Sequence, residues 1–296
     1  MEVIREVFSP DFLLRNSLYV GLLIGLVCPL IGTYLVLRRL VFMGVALPQI
    51  SSCGIAFAFA LHAWHIVPHL EDSSENALAF GGSTAFTLAA LFVLTLLQRR
   101  SSGLAEARIG TAYVLAGAFS ILLLVKNPFG EHGLLNRLRG EIIAVSNGDL
   151  AMTAITFAIV ALVLLLFRKE FLLVSFDPEM AVTLRKSVLS WDGLLFLLIG
   201  VTVSMSVLSV GPLVTFGFLL IPPLIARALA RNMRQFAIIG CVVGVFAAAA
   251  GFCLAYHWDV PVGPTDVALL GVVYLVISIA KSLLRSMGRK QSQRPV

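Results

Sequence analysis

The chain has 296 residues, of which 59% are hydrophobic and only 13% are charged, and its mean hydropathy is +0.96. Because charged residues make up about 25% of an average soluble domain, this composition excludes an ordinary soluble globular protein and indicates a lipid environment. The formal net charge is +6, and its distribution along the chain decides what that charge means.

Nine apolar segments are candidates for membrane-spanning helices, since a span needs roughly 20 apolar residues. They cover residues 14–37, 45–64, 79–98, 108–126, 150–167, 193–209, 211–229, 236–256 and 265–284. The sixth and seventh are short and are separated only by Val210-Gly211-Pro212. We therefore predict an all-α, polytopic membrane protein with eight to nine transmembrane helices. A membrane domain at 1–286 precedes a basic tail at 287–296, which we expect to be disordered.

The basic residues predict an orientation. With Arg38 and Arg39 inside, seventeen of the 22 Lys and Arg residues fall on the inner side, as the positive-inside rule requires. The N-terminus is then outside and the C-terminus inside, in the inner (plasma) membrane of a prokaryote. The first span has no strongly basic flank or cleavage site, so it is expected to be retained. The positive charge is thus a topology signal and does not indicate nucleic-acid binding.

The stretch from Gly32 to Gly54 predicts an interrupted region at membrane depth. A span ends at Arg38-Arg39, and Gly44 and Pro48 are expected to break the chain after it. Four polar or soft residues then enter the next span, namely Gln49, Ser51, Ser52 and Cys53. Small residues are common where membrane helices pack closely, and broken helices often line a transport path. Both interpretations remain open from the residues alone.

Histidines and acidic residues collect on the predicted outer side. The histidines are His62, His65, His69, His132 and His257. The nearby acids are Glu71, Asp72 and Glu75, and Asp259 and Asp266 are also placed outside. His62, His65 and His69 are candidates for metal capture. The alternatives are ordinary water-facing polarity and the docking of a solute-binding protein.

The segment at 168–192 is charged and lies between apolar spans, on the predicted inner side. Asp177 is a good N-cap, Pro178 suits the first helical position, and Glu179 favours the positive end of a helix dipole. Met180, Leu184 and Val188 recur at four-residue spacing. These features predict a short amphipathic helix that a soluble partner could move, or else a connector lying on the membrane.

The stretch at 211–227 is also rich in glycine and proline. Pro222-Pro223 is expected to disrupt backbone hydrogen bonding in the middle of a span, either as a packing kink or as a hinge lining a path. The chain contains no GxxxxGK[ST], HExxH or GxSxG motif, so no enzyme activity is predicted. Energy for any pumping would have to come from another chain.

Five sequence runs together carry a family resemblance. They are Val36-Leu37-Arg38-Arg39 leading into Gly44-Val45-Ala46-Leu47-Pro48-Gln49, then Gly140-Glu141-Ile142-Ile143-Ala144-Val145-Ser146, Phe176-Asp177-Pro178-Glu179-Met180-Ala181, Leu220-Ile221-Pro222-Pro223-Leu224-Ile225-Ala226-Arg227 and Asp259-Val260-Pro261-Val262-Gly263-Pro264-Thr265. Each is weak alone, but they follow in order from about residue 14 to 280. The chain resembles the membrane permease subunit of the manganese, zinc and iron ABC importers.

The resemblance implies a set of partners and roles. The coupling helix, which docks on a separate ABC ATPase subunit, would comprise Phe176, Asp177, Pro178, Glu179, Met180, Leu184 and Arg185. The translocation path would include Gln49, Ser51, Ser52, Cys53, Pro222 and Pro223. ATP and Mg would be bound by the ATPase, and this chain would hold no cofactor. An extracytoplasmic substrate-binding protein would deliver cargo to a homo- or heterodimer of permeases in the lipid bilayer.

Two departures from the family pattern affect these expectations. The family usually has Asp and His where Val45 and Gln49 stand. These two positions therefore lack strong metal ligands here, and a chelated or non-metal solute is an alternative cargo. The family often has Gly where Arg185 stands, and we expect Arg185 not to adopt a left-handed cap. A self-contained secondary transporter is the rival class, but it usually needs an ionisable residue within the membrane, and the sequence shows no convincing one.

Overall fold

A computed structural model of the chain describes residues 14–63, 72–100, 105–125 and 145–292. Those residues form helices joined by short connections, with no strand among them. The helices are α1 Arg15–Leu37, α2 Val41–Ala63, α3 Asp72–Arg100, α4 Ala105–Val125, α5 Asn147–Leu166, α6 Arg168–Phe176, α7 Pro178–Thr183, α8 Val188–Leu229, α9 Met233–Trp258 and α10 Val262–Ser292. The predicted all-α class is confirmed.

Eight of the described helices are long and apolar enough to cross a membrane. One of them, α8, has 42 residues and would be about 63 Å long at 1.5 Å per residue, twice the roughly 30 Å of a bilayer core. Its backbone leaves helical geometry at Gly211, where φ is 81° and ψ is 170°. Glycine accepts such a positive φ without a Cβ clash, and Pro212 suits the start of a second arm.

Both ends of α8 lie on the same face of the bundle. Asp192 near its start pairs with Arg38, and Arg227 near its end lines a pocket together with Arg39. Residues 188–210 and 212–229 are therefore two antiparallel arms, and the described helices make nine crossings. This agrees with the predicted eight to nine spans. We call the side that carries Arg38 the Arg38 face.

Side-chain contacts define the relative direction of the other helices. At the start of α1, Asn16 Nδ2 donates to Val145 O at 3.1 Å, just before α5. Phe252 of α9 packs with Leu18 of α1, while Phe236 packs with Val36, so these helices are antiparallel. Lys281 of α10 donates to the Ala228 carbonyl on the Arg38 face. The start of α1 and the end of α10 consequently lie on opposite faces.

The core is formed by α1, α2 and α8. About two thirds or more of the residues in each of their spans are buried, compared with a third or less in α3, α4, α5, α9 and α10. The outer helices expose large apolar side chains, including Phe92, Val114, Ile159, Phe246 and Leu275. Such a surface is unfavourable in water but suits contact with lipid.

Helix breaks occur at a different place from the one predicted. α2 continues through Gly44 and Pro48, and the second arm of α8 continues through Pro222 and Pro223. The predicted break at Gly44 and Pro48 is wrong, because prolines are tolerated within membrane helices where neighbouring elements compensate for the lost backbone bond. The backbone leaves the helical region at Gly211 instead. α10 extends to Ser292, and residues 293–296 lie outside the described residues. The disorder expected for 287–296 stays a prediction.

Close helix crossings depend on glycine. A Cβ placed on Gly25 of α1 would lie 2.7 Å from the Gly244 carbonyl oxygen of α9. A Cβ on Gly32 would overlap the Leu219 carbonyl oxygen in the second arm of α8. Small residues allow such backbone approach, and this approach supplies much of the packing energy between membrane helices.

Replacing Gly32 by alanine should therefore destabilise the fold. Overpacking of this kind costs about 1–3 kcal/mol, which a lowered melting temperature of the full chain in detergent would report. Gly21 lies on the same helix, and a Cβ added to it would meet no described atom within 4 Å, so Gly21→Ala is the matched control. Equal melting temperatures for the two variants would contradict the crossing.

Candidate functional site

The 168–192 segment contains a short helix with a defined start. The Asp177 carboxylate accepts a hydrogen bond from the Met180 N–H at 2.9 Å, and Pro178 occupies the first turn of α7. Glu179 also lies in that turn. The N-cap and helix start predicted from the sequence are therefore present, and α7 extends to Thr183.

The end of α7 differs from the prediction. Arg185 adopts a left-handed conformation with φ of 56°. Its N–H donates to Val182 O, and the Lys186 N–H donates to Ala181 O, both at 2.9 Å. These two bonds form the Schellman arrangement that satisfies carbonyls at a helix end. The left-handed conformation costs a non-glycine residue about 1–2 kcal/mol, and here the two hydrogen bonds offset that cost.

Most large apolar side chains of α7 and its flanks point outward. Phe176, Met180 and Leu184 are 57%, 53% and 54% exposed, whereas Ala181 is fully buried. We call Phe176, Met180 and Leu184 the α7 patch. A cluster of exposed apolar side chains beside charged neighbours is typical of an interaction surface.

Arg38 ties this segment to the membrane helices. Its Nη1 forms a 2.7 Å ion pair with Asp192 Oδ1 at the start of α8, and its Nε donates to Ser175 Oγ at 2.9 Å in α6. The Arg38 side chain is only 11% exposed. One guanidinium thus joins the end of α1, the helix preceding α7 and the first arm of α8. Sequence reasoning used Arg38 for topology and missed this role.

Aromatic packing supports the same connection. Phe171 of α6 is buried and makes edge-on contacts with Tyr34 at 6.0 Å and Trp191 at 5.7 Å between ring centroids. Lys186 lies over the Trp191 ring and pairs with Glu170 at 3.7 Å. The loop after α7 is therefore held against α6 and α8, so movement of α7 would be transmitted to them.

A second feature is a cavity of about 480 Å³ between α2, α4 and the second arm of α8. Its lining residues are Val45, Pro48, Gln49, Ser52, Tyr113, Ser120, Ile121, Pro212, Leu213 and Phe216. Ser52 Oγ and Ser120 Oγ are 3.3 Å apart, and a Cβ on Gly117 would lie 3.1 Å from Gln49 Nε2. The lining offers hydroxyl and amide groups but, among the residues described for it, no carboxylate, imidazole or thiol.

The structure separates the residues proposed for the path. Gln49 and Ser52 line the cavity. Ser51 is buried against Ser83, with 2.6 Å between their hydroxyl oxygens. Cys53, Pro222 and Pro223 are also buried and are absent from the described cavity lining. The spacing of Val45, Pro48, Gln49 and Ser52 along one helix face could have identified the correct wall, but Tyr113 and Ser120 carried no sequence signal.

The metal candidates fall largely outside the described residues. His65 and His69 lie in the gap between α2 and α3, and His62 lies in the last turn of α2 without a described side chain. Within the described ranges, no group of three His, Cys, Asp or Glu side chains could hold a metal ion. Any role of these histidines stays a prediction.

Asp266 is buried, whereas ordinary water-facing polarity was one interpretation of the outer acids. It lies in α10 with 1% exposure, packed against Gly251 of α9. Its Oδ1 has no hydrogen-bond partner among the described residues. Sequence reasoning counted Asp266 among the acids of the outer side, and packing of α10 on α9 buries its side chain. It is not among the described residues that line the cavity.

Comparisons with known proteins agree with this architecture. A family model described as "ABC 3 transport family" matches residues 11–281. The Haemophilus influenzae protein named "Probable iron transport system membrane protein" is 28% identical over 278 residues, covering 93% of this chain and 92% of its own length. The "Manganese import system permease protein ScaB" of Streptococcus gordonii is 25% identical over 277 residues and covers 94% of each chain.

A solved structure shares the fold. PsaBC from Streptococcus pneumoniae in complex with Fab has a TM-score of 0.78 and 24% identity, over 93% of this chain and 94% of that chain. At this identity the likeness establishes the arrangement of helices.

The Arg38 connection predicts a local stability effect. Arg38→Gln should expose residues 170–186 to hydrogen exchange, by about tenfold or more, because removing one partner of a largely buried ion pair leaves the other uncompensated. Arg234 is exposed on the same face, so Arg234→Gln is the control. Identical exchange in the two variants would show that Arg38 does not hold the segment.

Proposed function

The chain belongs to the ABC 3 transport family, and from that premise we propose that it is the transmembrane permease subunit of an ATP-binding-cassette importer that moves a divalent metal ion, manganese, zinc or iron, inward. The observation that supports this proposal most is the α7 patch, an exposed apolar surface tied by Arg38 to the helices that line the cavity. A permease without its own phosphate-binding loop needs a surface on which a separate ATPase can dock and which the ATPase can move.

The orientation follows from charge. The Arg38 face carries the basic residues at the ends of α1, α6 and α8, and the positive-inside rule assigns such a face to the cytoplasm. The N-terminus is then outside and the C-terminus inside, in the plasma membrane of a prokaryote. The α7 patch faces the compartment that contains ATP, and the opposite face is open to a substrate-binding protein.

Force on α7 has a physical route to the cavity. α7 follows α6 directly, and Ser175 of α6 contacts Arg38. Arg38 precedes α2, whose Val45, Gln49 and Ser52 form one cavity wall. Its partner Asp192 begins the first arm of α8, which leads to Pro212, Leu213 and Phe216 on another wall. ATP and Mg bound by two ATPase subunits would drive closure, and α7 movement would shift the equilibrium between outward and inward access.

A dimer is part of the proposal. The cavity has walls from α2, α4 and α8 of one chain, and a second permease chain, identical or different, would complete the path. The exposed apolar residues of α4, including Val114, Leu115 and Ile121, are suited to contact with lipid or with that second chain.

The cavity favours weak contact with its cargo. Divalent metals of this group bind proteins through imidazole, thiolate and carboxylate groups, whereas Gln49, Ser52, Tyr113 and Ser120 present neutral oxygens and nitrogens. A metal ion would pass with few protein ligands. The second candidate is a chelated metal or another solute, favoured by Val45 and Gln49 in place of charged ligands. A self-contained secondary transporter remains the rival class, and among the described residues Asp266 is the buried acid that it would have to use.

Weakening α7 should break the coupling between the permease and its ATPase. Asp177→Ala with Glu179→Ala removes the N-cap and the favourable dipole contact, at a cost of about 1 kcal/mol or more for a six-residue helix. We expect cargo-stimulated ATP hydrolysis and uptake by the reconstituted complex to fall together. Glu106→Ala, at an exposed acid in the first turn of α4, is the control. Normal stimulation in the double variant would refute coupling through α7.

The cargo is tested by uptake into vesicles that contain the permease, its ATPase and its binding protein. Saturable, ATP-dependent uptake of free manganese, zinc or iron is expected. Uptake of a chelate alone would support the second candidate, and uptake that needs an ion gradient but no ATP would support the secondary transporter. Failure of all three free metals would reject the metal proposal.

The cavity is tested in the same vesicles. Gly117→Leu should reduce uptake by about tenfold because its side chain would meet Gln49 and fill the cavity. Gly110 lies on the same helix with no described atom within 4 Å of a Cβ, so Gly110→Leu should transport normally. Equal uptake by the two variants would place the path elsewhere.

A further inference from the structure

A second pocket lies on the Arg38 face, and its arginines have no part in the proposed transport route. It has a volume of about 330 Å³ and lies between the end of α1, the end of α8 and the start of α9. Three arginines contribute to its wall, Arg39, Arg227 and Arg231. Phe176, just before α7, also lines it.

The charge of this pocket is unbalanced. None of its lining residues in the described chain is acidic, and the ion pairs found among the described residues involve Arg38 and Lys186 instead of these three arginines. Like charges around so small a space repel one another. An anion bound between the guanidinium groups would convert that repulsion into attraction.

The start of α9 adds to the positive potential. Met233 begins this 26-residue helix and lines the pocket, and no acidic residue occupies the first turn. Asn232 caps the helix by accepting from the Gln235 N–H at 2.8 Å. The positive end of the helix dipole is therefore uncompensated by acidic side chains, and such ends favour phosphate groups.

The other side of the pocket is apolar. Val36 and Phe236 are buried in a cluster with Ala226, and Leu37 and Met233 complete the apolar wall. These residues belong to the ends of membrane-spanning helices, so the pocket lies at the depth where headgroups meet acyl chains. A basic rim above an apolar wall matches a phospholipid, whose phosphate is anionic and whose chains are not.

We propose that this pocket binds the headgroup of an anionic phospholipid, with the guanidinium groups of Arg39, Arg227 and Arg231 contacting the phosphate. Arginine suits this role because its planar guanidinium can make two parallel hydrogen bonds to phosphate oxygens. A docked protein is less favoured, because the pocket holds only about 330 Å³, whereas Met180 and Leu184 of the α7 patch are exposed outside its described lining. The proposal does not depend on the cargo, and the pocket adjoins the α7 patch through Phe176, which lines it.

The test uses the full chain in detergent and native mass spectrometry with phosphatidylglycerol or phosphatidylcholine. We expect preferential binding of phosphatidylglycerol, weakened about tenfold in Arg227→Gln/Arg231→Gln. Lys169→Gln/Arg234→Gln removes the same charge from exposed positions on the same face and should bind like the unmodified chain. Arg227→Lys/Arg231→Lys, which keeps the charge but loses the planar fork, should fall between them. Elution as one species on size exclusion checks that each variant is folded.

Four outcomes would overturn the proposal. They are equal binding of the two lipids, unchanged binding in the Arg227/Arg231 variant, equal loss in the Lys169/Arg234 variant, and full displacement of the lipid by inorganic phosphate, which would indicate a free-anion site. If the Arg227/Arg231 variant keeps its lipid but no longer co-purifies with the ATPase, the pocket is a protein-docking site and the lipid assignment fails.

Discussion

The ion pair between Arg38 and Asp192 is the interaction on which the arrangement of the Arg38 face depends. A guanidinium that is 11% exposed must have a partner, because an unpaired charge removed from water costs several kcal/mol. Asp192 provides that partner at 2.7 Å, and Ser175 accepts from a second nitrogen. The end of α1 is therefore fixed to two segments more than 130 residues further along the chain, and α7 is held beside the helices that lead to the cavity.

The break at Gly211 lets one helix connect the Arg38–Asp192 ion pair with the cavity. Because α8 crosses the bundle and returns, one helix begins next to Arg38, lines the cavity near its middle and ends next to Arg39. Close crossings at Gly25 and Gly32 bring α1 against α9 and α8 with almost no intervening side chain. Packing of this closeness transmits displacement, since tightly packed interiors have low compressibility.

The consecutive residues Arg38 and Arg39 have opposite environments for a structural reason. At the end of α1, the Arg39 N–H donates to Val36 O and the Leu40 N–H donates to Leu35 O. This Schellman arrangement places Arg39 in a left-handed conformation with φ of 59°, and the chain reverses there. One guanidinium is consequently directed into the protein, and its neighbour lines the basic pocket. The same reversal ends α7 at Arg185. Force transmission and lipid contact would thus share one turn, while the neutral cavity between α2, α4 and α8 remains separate from both.

Local patterns in the sequence were enough to predict eight to nine spans, their approximate positions and the N-cap at Asp177, because hydrophobicity, charge asymmetry and capping act over a few neighbouring residues. Those patterns did not predict which helix faces contact one another. In lipid, a side chain that contacts a helix and one that contacts an acyl chain are equally apolar, so hydrophobicity does not reveal which face of a span is inside the bundle. Gln49, which lines the cavity, therefore could not be distinguished from Cys53, which does not. Tertiary packing alone directed Gln49 into the cavity, buried Asp266, kept α2 helical through Pro48 and joined Arg38 to Asp192, since these depend on contacts between segments far apart in the chain.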